Sequence, residues 1–381
     1  MIQRVDPNLV KNIETFGKGS WNECFHCGNC TAVCPLTEQG SLFPRKPYRA
    51  MQMGLKDTLA HSTEPWLCYY CGDCSKTCPR NANPGETMMI LRRYLTSVYD
   101  WTGISKLIYK SKAFELIAIF IIAIITAVLY LYYTTPPSGI EGRLVGEDGG
   151  VMINKMSPSH IIHIGDWAMA GILAFLLITN VFNMWYKIIL SDKSIKVPFF
   201  SYFIPIFALV TNFLTQKRFN KCDGPKSYWF IHLFLMLSYV MLFTMIVFFL
   251  NWFQTDTVYP IWHPQRLLGY ISTLGLFVGV IYFINNRFKK MKENSKYSHY
   301  TDWTFLVLLL LTTATGILMH FFRIYGMPTA TYFTYLIHLV VLVPMLTIEV
   351  PFSKWSHLAY RPMAVYFSKV KNAVQKNNKN I

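Results

Sequence analysis

The sequence predicts an all-α chain, a small helical domain followed by a bundle of six transmembrane helices, and three observations predict it. Six apolar stretches are each long enough to cross a hydrocarbon core of roughly 30 Å. Lysine and arginine crowd into alternate connections between them. The first hundred or so residues hold eight of the nine cysteines, in two runs set among helical patterns. Composition agrees: 52% hydrophobic and only 15% charged residues, with a mean hydropathy of +0.28, are membrane-protein values.

At the N-terminus, Met1 to Ser20 is polar and carries Arg4, Asp6, Lys11, Glu14 and Lys18, with no apolar core before a small-residue cleavage site. This reads as a domain that stays in the cytoplasm. Cys24, Cys27, Cys30 and Cys34 followed by Pro35 form a C-x2-C-x2-C-x3-C-P run, and Cys68, Cys71, Cys74 and Cys78 followed by Pro79 form a second. That is the spacing of bacterial two-cluster ferredoxins, in which three close thiolates wrap one [4Fe-4S] cubane and the fourth ligates the other. The expected sets are Cys24, Cys27, Cys30 and Cys78 for one cluster, and Cys68, Cys71, Cys74 and Cys34 for the second. A cytoplasmic location disfavours disulfides, and zinc sites use paired C-x2-C halves rather than runs of four. Gly28 and Gly72 leave room for close backbone approach. Between and after the runs, Tyr48 to Leu59 and Pro84 to Tyr99 read as helices, so the domain, residues 1–112, is expected to be α-helical rather than a βαβ ferredoxin.

The membrane domain, 113–353, carries spans near Ala113 to Tyr133, Ile164 to Trp185, Trp229 to Trp252, Leu267 to Phe288, Trp303 to Phe322 and Tyr332 to Val350. Phe199 to Leu214 is shorter, contains Pro205 and reads as an interfacial or re-entrant helix. With six spans, segments 187–226, 287–302 and 354–381 hold 18 lysines and arginines, against 4 in segments 134–163, 251–266 and 323–331. The positive-inside rule then puts both termini in the cytoplasm, in the cytoplasmic (inner) membrane of a cell. It also accounts for the net charge of +16 without nucleic acid. The Gly- and Pro-rich connection Thr134 to Ser159 is expected to be irregular. Residues 354–381 read as a basic tail, disordered from Lys369 to Ile381. Trp167, Tyr186, Trp252, Trp262 and Tyr332 read as an interfacial belt, and Cys222 as an ordinary reduced thiol.

Ionisable residues at membrane depth are functional candidates. A bis-histidine haem b needs imidazoles from two helices at one depth. His232, at the start of the third span, and His357, after the sixth, share the cytoplasmic depth. His338 lies at the outer side, with His263, His320, His160 and His163 as possible partners. His338 and His357 stand 19 residues apart, roughly 28 Å of helix, so one helix with bends at Pro344 and Pro351 could serve a haem near each face. His26 and His61 read as bystanders.

The stretches "CFHCGNCTAVCP" and "WLCYYCGDCSKTCPR" resemble heterodisulfide reductase C-type iron-sulfur proteins. "YWFIHLF", "TDWTFLVLLLLTTATGIL" and "LIHLVVLVPMLTIEVPFSKWSH" resemble heterodisulfide reductase E and, more remotely, the gamma chain of nitrate reductase. The fusion in this order is similar to the QmoC family, membrane subunits of quinone-interacting membrane-bound oxidoreductase complexes. The resemblance implies haem-ligand roles for His232, His338 and His357. Where the gamma pattern has a further histidine in the third span this sequence has Leu242, which moves a second haem's other ligand to His263, or to His320 in its place. It implies a subunit of an oxidoreductase that exchanges electrons with quinone or quinol, whose partners are heterodisulfide reductase A-like flavin/iron-sulfur subunits and, downstream, adenylylsulfate reductase. No Gly-rich nucleotide motif is present, so the flavin active site is expected on partner subunits, and no catalytic residue is assigned. Other expectations to weigh are a haem-free membrane anchor for a ferredoxin domain, and a cytochrome b of another heterodisulfide reductase-like complex.

Overall fold

A computed structural model describes residues 4–37, 42–193, 196–203, 205–221, 226–290 and 293–377. Cys222 lies outside these described residues. Among them the chain is helical, with no strand and one isolated bridge between Val145 and Val151 in the Gly-rich connection.

Six helices are long and apolar enough to cross a membrane. The first five are Lys112–Tyr133, Ser159–Trp185, Lys226–Phe253, Pro264–Lys289 and Tyr300–Ile324. The sixth runs Pro328–Pro344, loosens into a π-turn at Met345–Glu349 and ends at Val350–Phe352. In lipid each backbone must satisfy itself, which is why these apolar runs are helices. Their starts are written locally. The Ser111 hydroxyl accepts from Phe114 N at 3.2 Å to open the first span. Ahead of the fifth, His299 N donates to the Asp302 carboxylate at 3.1 Å in a capping box. Prolines occupy the first turns of the fourth and sixth. Gly275 and Gly279 let the third and fourth spans close up, since a Cβ at either would collide with Ser238 or Leu235.

Phe199 to Leu214 forms a 3-10 turn, Phe199–Tyr202, and the short helix Ile206–Thr215, whose 10 residues rise only about 15 Å. It adds no seventh span. The expected helix Tyr48 to Leu59 is two helices, Arg45–Gln52 and Lys56–Ala60, parted by Gly54 at φ +70°. Tyr332 does not sit in an interfacial belt: it is buried, its hydroxyl 2.9 Å from Thr134 Oγ1.

Through Asn377 the tail is helical rather than disordered as its composition led one to expect; residues 378–381 lie outside the described residues. His357–Asn377 is a helix. Tyr360, Ala364, Phe367, Val370 and Val374 are all buried, an apolar stripe at helical spacing hidden among lysines and asparagines. The stripe joins a single core with Leu9, Ile13, Trp66, Leu91 and Tyr99 of the N-terminal domain and Met184 and Ile188 of the second span. Trp66 packs on Tyr360 with ring centroids 5.1 Å apart. The N-terminal domain is therefore welded to the end of the bundle rather than tethered to it.

Candidate functional site

The two cysteine runs fold alike. His26 and Tyr70, each just before the second cysteine of its run, have φ +57° and +54°, and Gly28 and Gly72, just after it, have φ +88° and +91°. Each glycine caps a one-turn helix, Asn29–Ala32 or Asp73–Lys76. At Gly72 a side chain is excluded twice, because a Cβ would also strike Glu293 from the connection between the fourth and fifth spans.

The fold brings the fourth cysteine of each run to the other run. Cys24, Cys27, Cys30 and Cys78 line one small cavity with His26, Tyr48 and Arg45. Cys34 lies in the electrostatic field of Cys68 and Cys71, and Cys74 in that of Cys68, Cys71 and Cys34. Backbone amides point at two sulfurs: Tyr70 N donates to Cys68 Sγ and Ala82 N to Cys78 Sγ, both at 3.3 Å. Burial raises the thiols of Cys30, Cys68 and Cys74 and pushes Cys34 up to about 11, so iron must displace protons to bind here. Soft sulfur donors in two crossed sets of four are the donor chemistry iron-sulfur clusters take. Cys27 is exposed whereas Cys68 and Cys74 are buried, so the first set faces outward and the second faces the bundle. His26 is edge-on to Tyr48 at 6.5 Å, and burial, then Arg49, lowers its pKa.

Against the second run sits the histidine pair. The rings of His232 and His357 lie 6.4 Å apart, centroid to centroid, tilted by 47°. Two imidazoles facing each other across one iron, each nitrogen about 2 Å from the metal, have roughly this separation. Their Nδ1 atoms are already engaged: His232 with Gln216 Oε1 at 2.8 Å and His357 with the Lys354 carbonyl at 2.7 Å. That leaves Nε2 of each for a ligand, with the tautomer fixed from behind. Burial, then Arg361, lowers the His357 pKa well below 6.5 and keeps the ring neutral. Cavities of about 60 and 170 Å³ flank the pair, both lined by Tyr69, Leu235, Trp355 and Arg361. The pair therefore fits a bis-histidine haem. His357 is not on the helix of His338, because the chain breaks at Ser353 (φ −122°, ψ −147°) before a 3-10 turn, Lys354–Ser356, and a fresh helix.

Residues that the sequence did not single out join the two sites. Arg361, one turn after His357, donates to the Cys68 carbonyl at 3.1 Å and lies 4.5 Å over the Tyr69 ring. Tyr69 stacks on Phe219 at 4.8 Å, and Phe219 meets His232 edge-on at 5.6 Å.

Toward the far end of the bundle, His338 lines an apolar cavity of about 220 Å³ together with Asp166, Tyr239, Leu242, Tyr270 and His320. His338 Nδ1 is held by Thr315 Oγ1 at 3.0 Å, and His320 Nε2 lies 2.8 Å from Tyr270 OH. His263 is not brought to this cavity: it precedes the helix at Pro264 and stacks on Tyr259 at 4.0 Å and 11°. The structure thus groups His338 with His320 rather than with His263. His61 is 3.0 Å from Ser191 Oγ, and His163 reaches the Val247 carbonyl at 3.0 Å.

Residues 20–82 match the family model of the 4Fe-4S dicluster domain. Over 96 residues, 25% of this chain and 51% of the relative, the sequence is 31% identical to a heterodisulfide reductase C-like protein of Archaeoglobus profundus. The chain thus spans about half the length of the curated relative it matches. No solved structure matches. The chain carries an iron-sulfur electron-transfer domain of the 4Fe-4S dicluster type, joined to six helices long and apolar enough to cross a membrane.

Proposed function

We propose that this chain is the membrane electron-transfer subunit of a QmoC-like oxidoreductase complex. It passes electrons between the quinone pool and cytoplasmic flavin/iron-sulfur partners through a haem b on His232 and His357 and two [4Fe-4S] clusters. One cluster takes Cys24, Cys27, Cys30 and Cys78, the other Cys68, Cys71, Cys74 and Cys34. The observation that carries this reading is the junction at Arg361 and Tyr69, which puts the second cysteine run against the histidine pair. Haem and clusters, when bound, carry one electron each per step, dividing the two electrons of a quinol. The protein supplies orientation: Gln216 and the Lys354 carbonyl fix the imidazoles, and the outward-facing first set offers the exit to a partner. The heterodisulfide reductase C-like relative favours partners of the heterodisulfide reductase A type; adenylylsulfate reductase is the downstream acceptor that the QmoC resemblance implies.

The far cavity suits the quinone ring. It is mostly apolar, with a few polar groups, and its wall shares Tyr239 with the smaller histidine cavity. A second reading gives it another haem on His338 and His320, favoured by the Thr315 hydrogen bond behind His338. Haem stoichiometry separates them: one haem per chain leaves the cavity to quinone, two assign it to His338. Dithionite-reduced minus oxidised spectra test the core claim. His357→Leu should remove the b-type signal of this haem while both cluster signals stay; full haem retention would refute the assignment, and a wild-type protein without b-type absorbance would leave a haem-free anchor.

A further inference from the structure

Two glutamates that the reading above does not use face each other inside the bundle. Glu115, near the start of the first span, and Glu349, closing the π-turn of the sixth, are both 0% exposed. Their carboxyls abut. Glu115 Oε2 accepts from Thr304 Oγ1 at 3.0 Å; among the described residues, Glu115 Oε1 and both Glu349 oxygens have no hydrogen-bond partner. The buried Ser353 hydroxyl lies beside both carboxyls. The surrounding charges do not neutralise the two acids. Lys354 and Arg287 pair with Asp302, at 2.5 and 3.5 Å, and Arg93 pairs with Glu86 at 3.2 Å. Lys112 lies one turn before Glu115, at the helix start, and the phenols of Tyr109 and Tyr300 complete the titratable groups around them.

Touching carboxyls out of water do not both ionise, and orphaned oxygens on such a pair are satisfied when a proton sits between them. A π-turn at this point is the kind of helix irregularity that recurs at functional positions. We propose that Glu115 and Glu349 form a shared-proton carboxyl pair that binds one further proton when the haem on His232 and His357 is reduced. This rests on the haem reading. In the step a haem held by His232 and His357 would take up one electron from the quinol or cluster donor. One proton enters from water at the end of the bundle where the cluster domain docks, becoming the second carboxyl O–H, and no other bond changes. Glu349 precedes His357 by eight residues, across the break at Ser353. At an effective dielectric of about 20, a unit charge change about 12 Å from a carboxyl alters its proton affinity about tenfold.

The test is redox-difference infrared spectroscopy on the full-length, haem-loaded protein in detergent, beside potentiometric titration of the haem at several pH values. The expected result is a protonated-carboxyl carbonyl band that changes on reduction and is lost in both Glu115→Gln and Glu349→Gln. The pH slope of the haem midpoint should be reduced in the same variants. Retained haem and cluster absorbance certifies folding, and should one variant not accumulate, the other carries the test. A haem that reduces with no carboxyl change overturns the coupling alone; a protein without haem absorbance overturns the coupling together with the haem reading; a carboxyl band that survives both substitutions overturns the pair.

Discussion

Shortening Gln216 by one methylene isolates what the residue behind His232 contributes. Gln216 is buried, sits in the left-handed region at φ +47°, and its Oε1 lies 2.8 Å from His232 Nδ1. Asparagine tolerates that backbone conformation, so Gln216→Asn adds little strain. Its amide, however, is withdrawn by about 1.5 Å, beyond hydrogen-bond reach of the imidazole. Losing the partner behind a metal-bound histidine typically weakens metal binding about 10- to 100-fold, or roughly 1.4–2.7 kcal/mol. The assay is the rate of haem loss to an excess of apo-acceptor, read at the Soret band, with haem per chain measured as purified. Haem should leave about 10 to 100 times faster, with iron-sulfur absorbance unchanged. Equal rates for wild type and Gln216→Asn would refute the claim that this bond orients an axial ligand.

Crossed ligation predicts which double substitutions are redundant. Cys27→Ser with Cys78→Ser should cost little more than either alone, because both act on one cluster, whereas Cys71→Ser with Cys78→Ser should abolish both cluster signals in electron paramagnetic resonance. The weld between the domains predicts that Trp66→Ala, which removes a fully buried ring packed at a tilt on Tyr360, costs about 3–5 kcal/mol. Thermal bleaching of the cluster absorbance should then occur at lower temperature, and an unchanged midpoint would show that the contact is not structural. Because burial raises the thiols of Cys30, Cys34, Cys68 and Cys74, they are protonated in the apoprotein near neutral pH and release protons as iron binds. Cluster reconstitution should therefore weaken as pH falls from about 9 toward about 7, and proton uptake during reconstitution would contradict this.

What the sequence made legible were features whose information is local. Each cysteine run states by spacing which cysteines come together, and the helix Pro84–Tyr99 carries its own start signals in Asn83 and Pro84. The depth of His232 and His357 followed from counting spans, because length and charge asymmetry are set by the bilayer. The surroundings of His263 were less accessible, since they depend on the turn before Pro264, where stacking on Tyr259 holds it. Gln216 could not be foreseen, because its bond to His232 joins segments through a connection with no periodic pattern. Other signals were present but outweighed. Glycines four apart at Gly275 and Gly279 mark a close helix contact. Glu115 and Glu349 are acids inside apolar runs, and the stripe from Tyr360 to Val374 was masked by the lysines and asparagines between its members.

The terminal helix also bears on biogenesis. It is translated after all six spans, yet it opens with His357 and bears Arg361 and Tyr360, which close the histidine pair and clasp the N-terminal domain. Until it emerges from the ribosome, a nascent chain already threaded into the bilayer lacks both the second imidazole and the clamp on its own N-terminus. On the haem reading proposed above, loading at that site and domain docking are thereby deferred to one late event, and a chain stopped short of residue 357 would be inserted but lack that site, open to clearance by the cell's proteases.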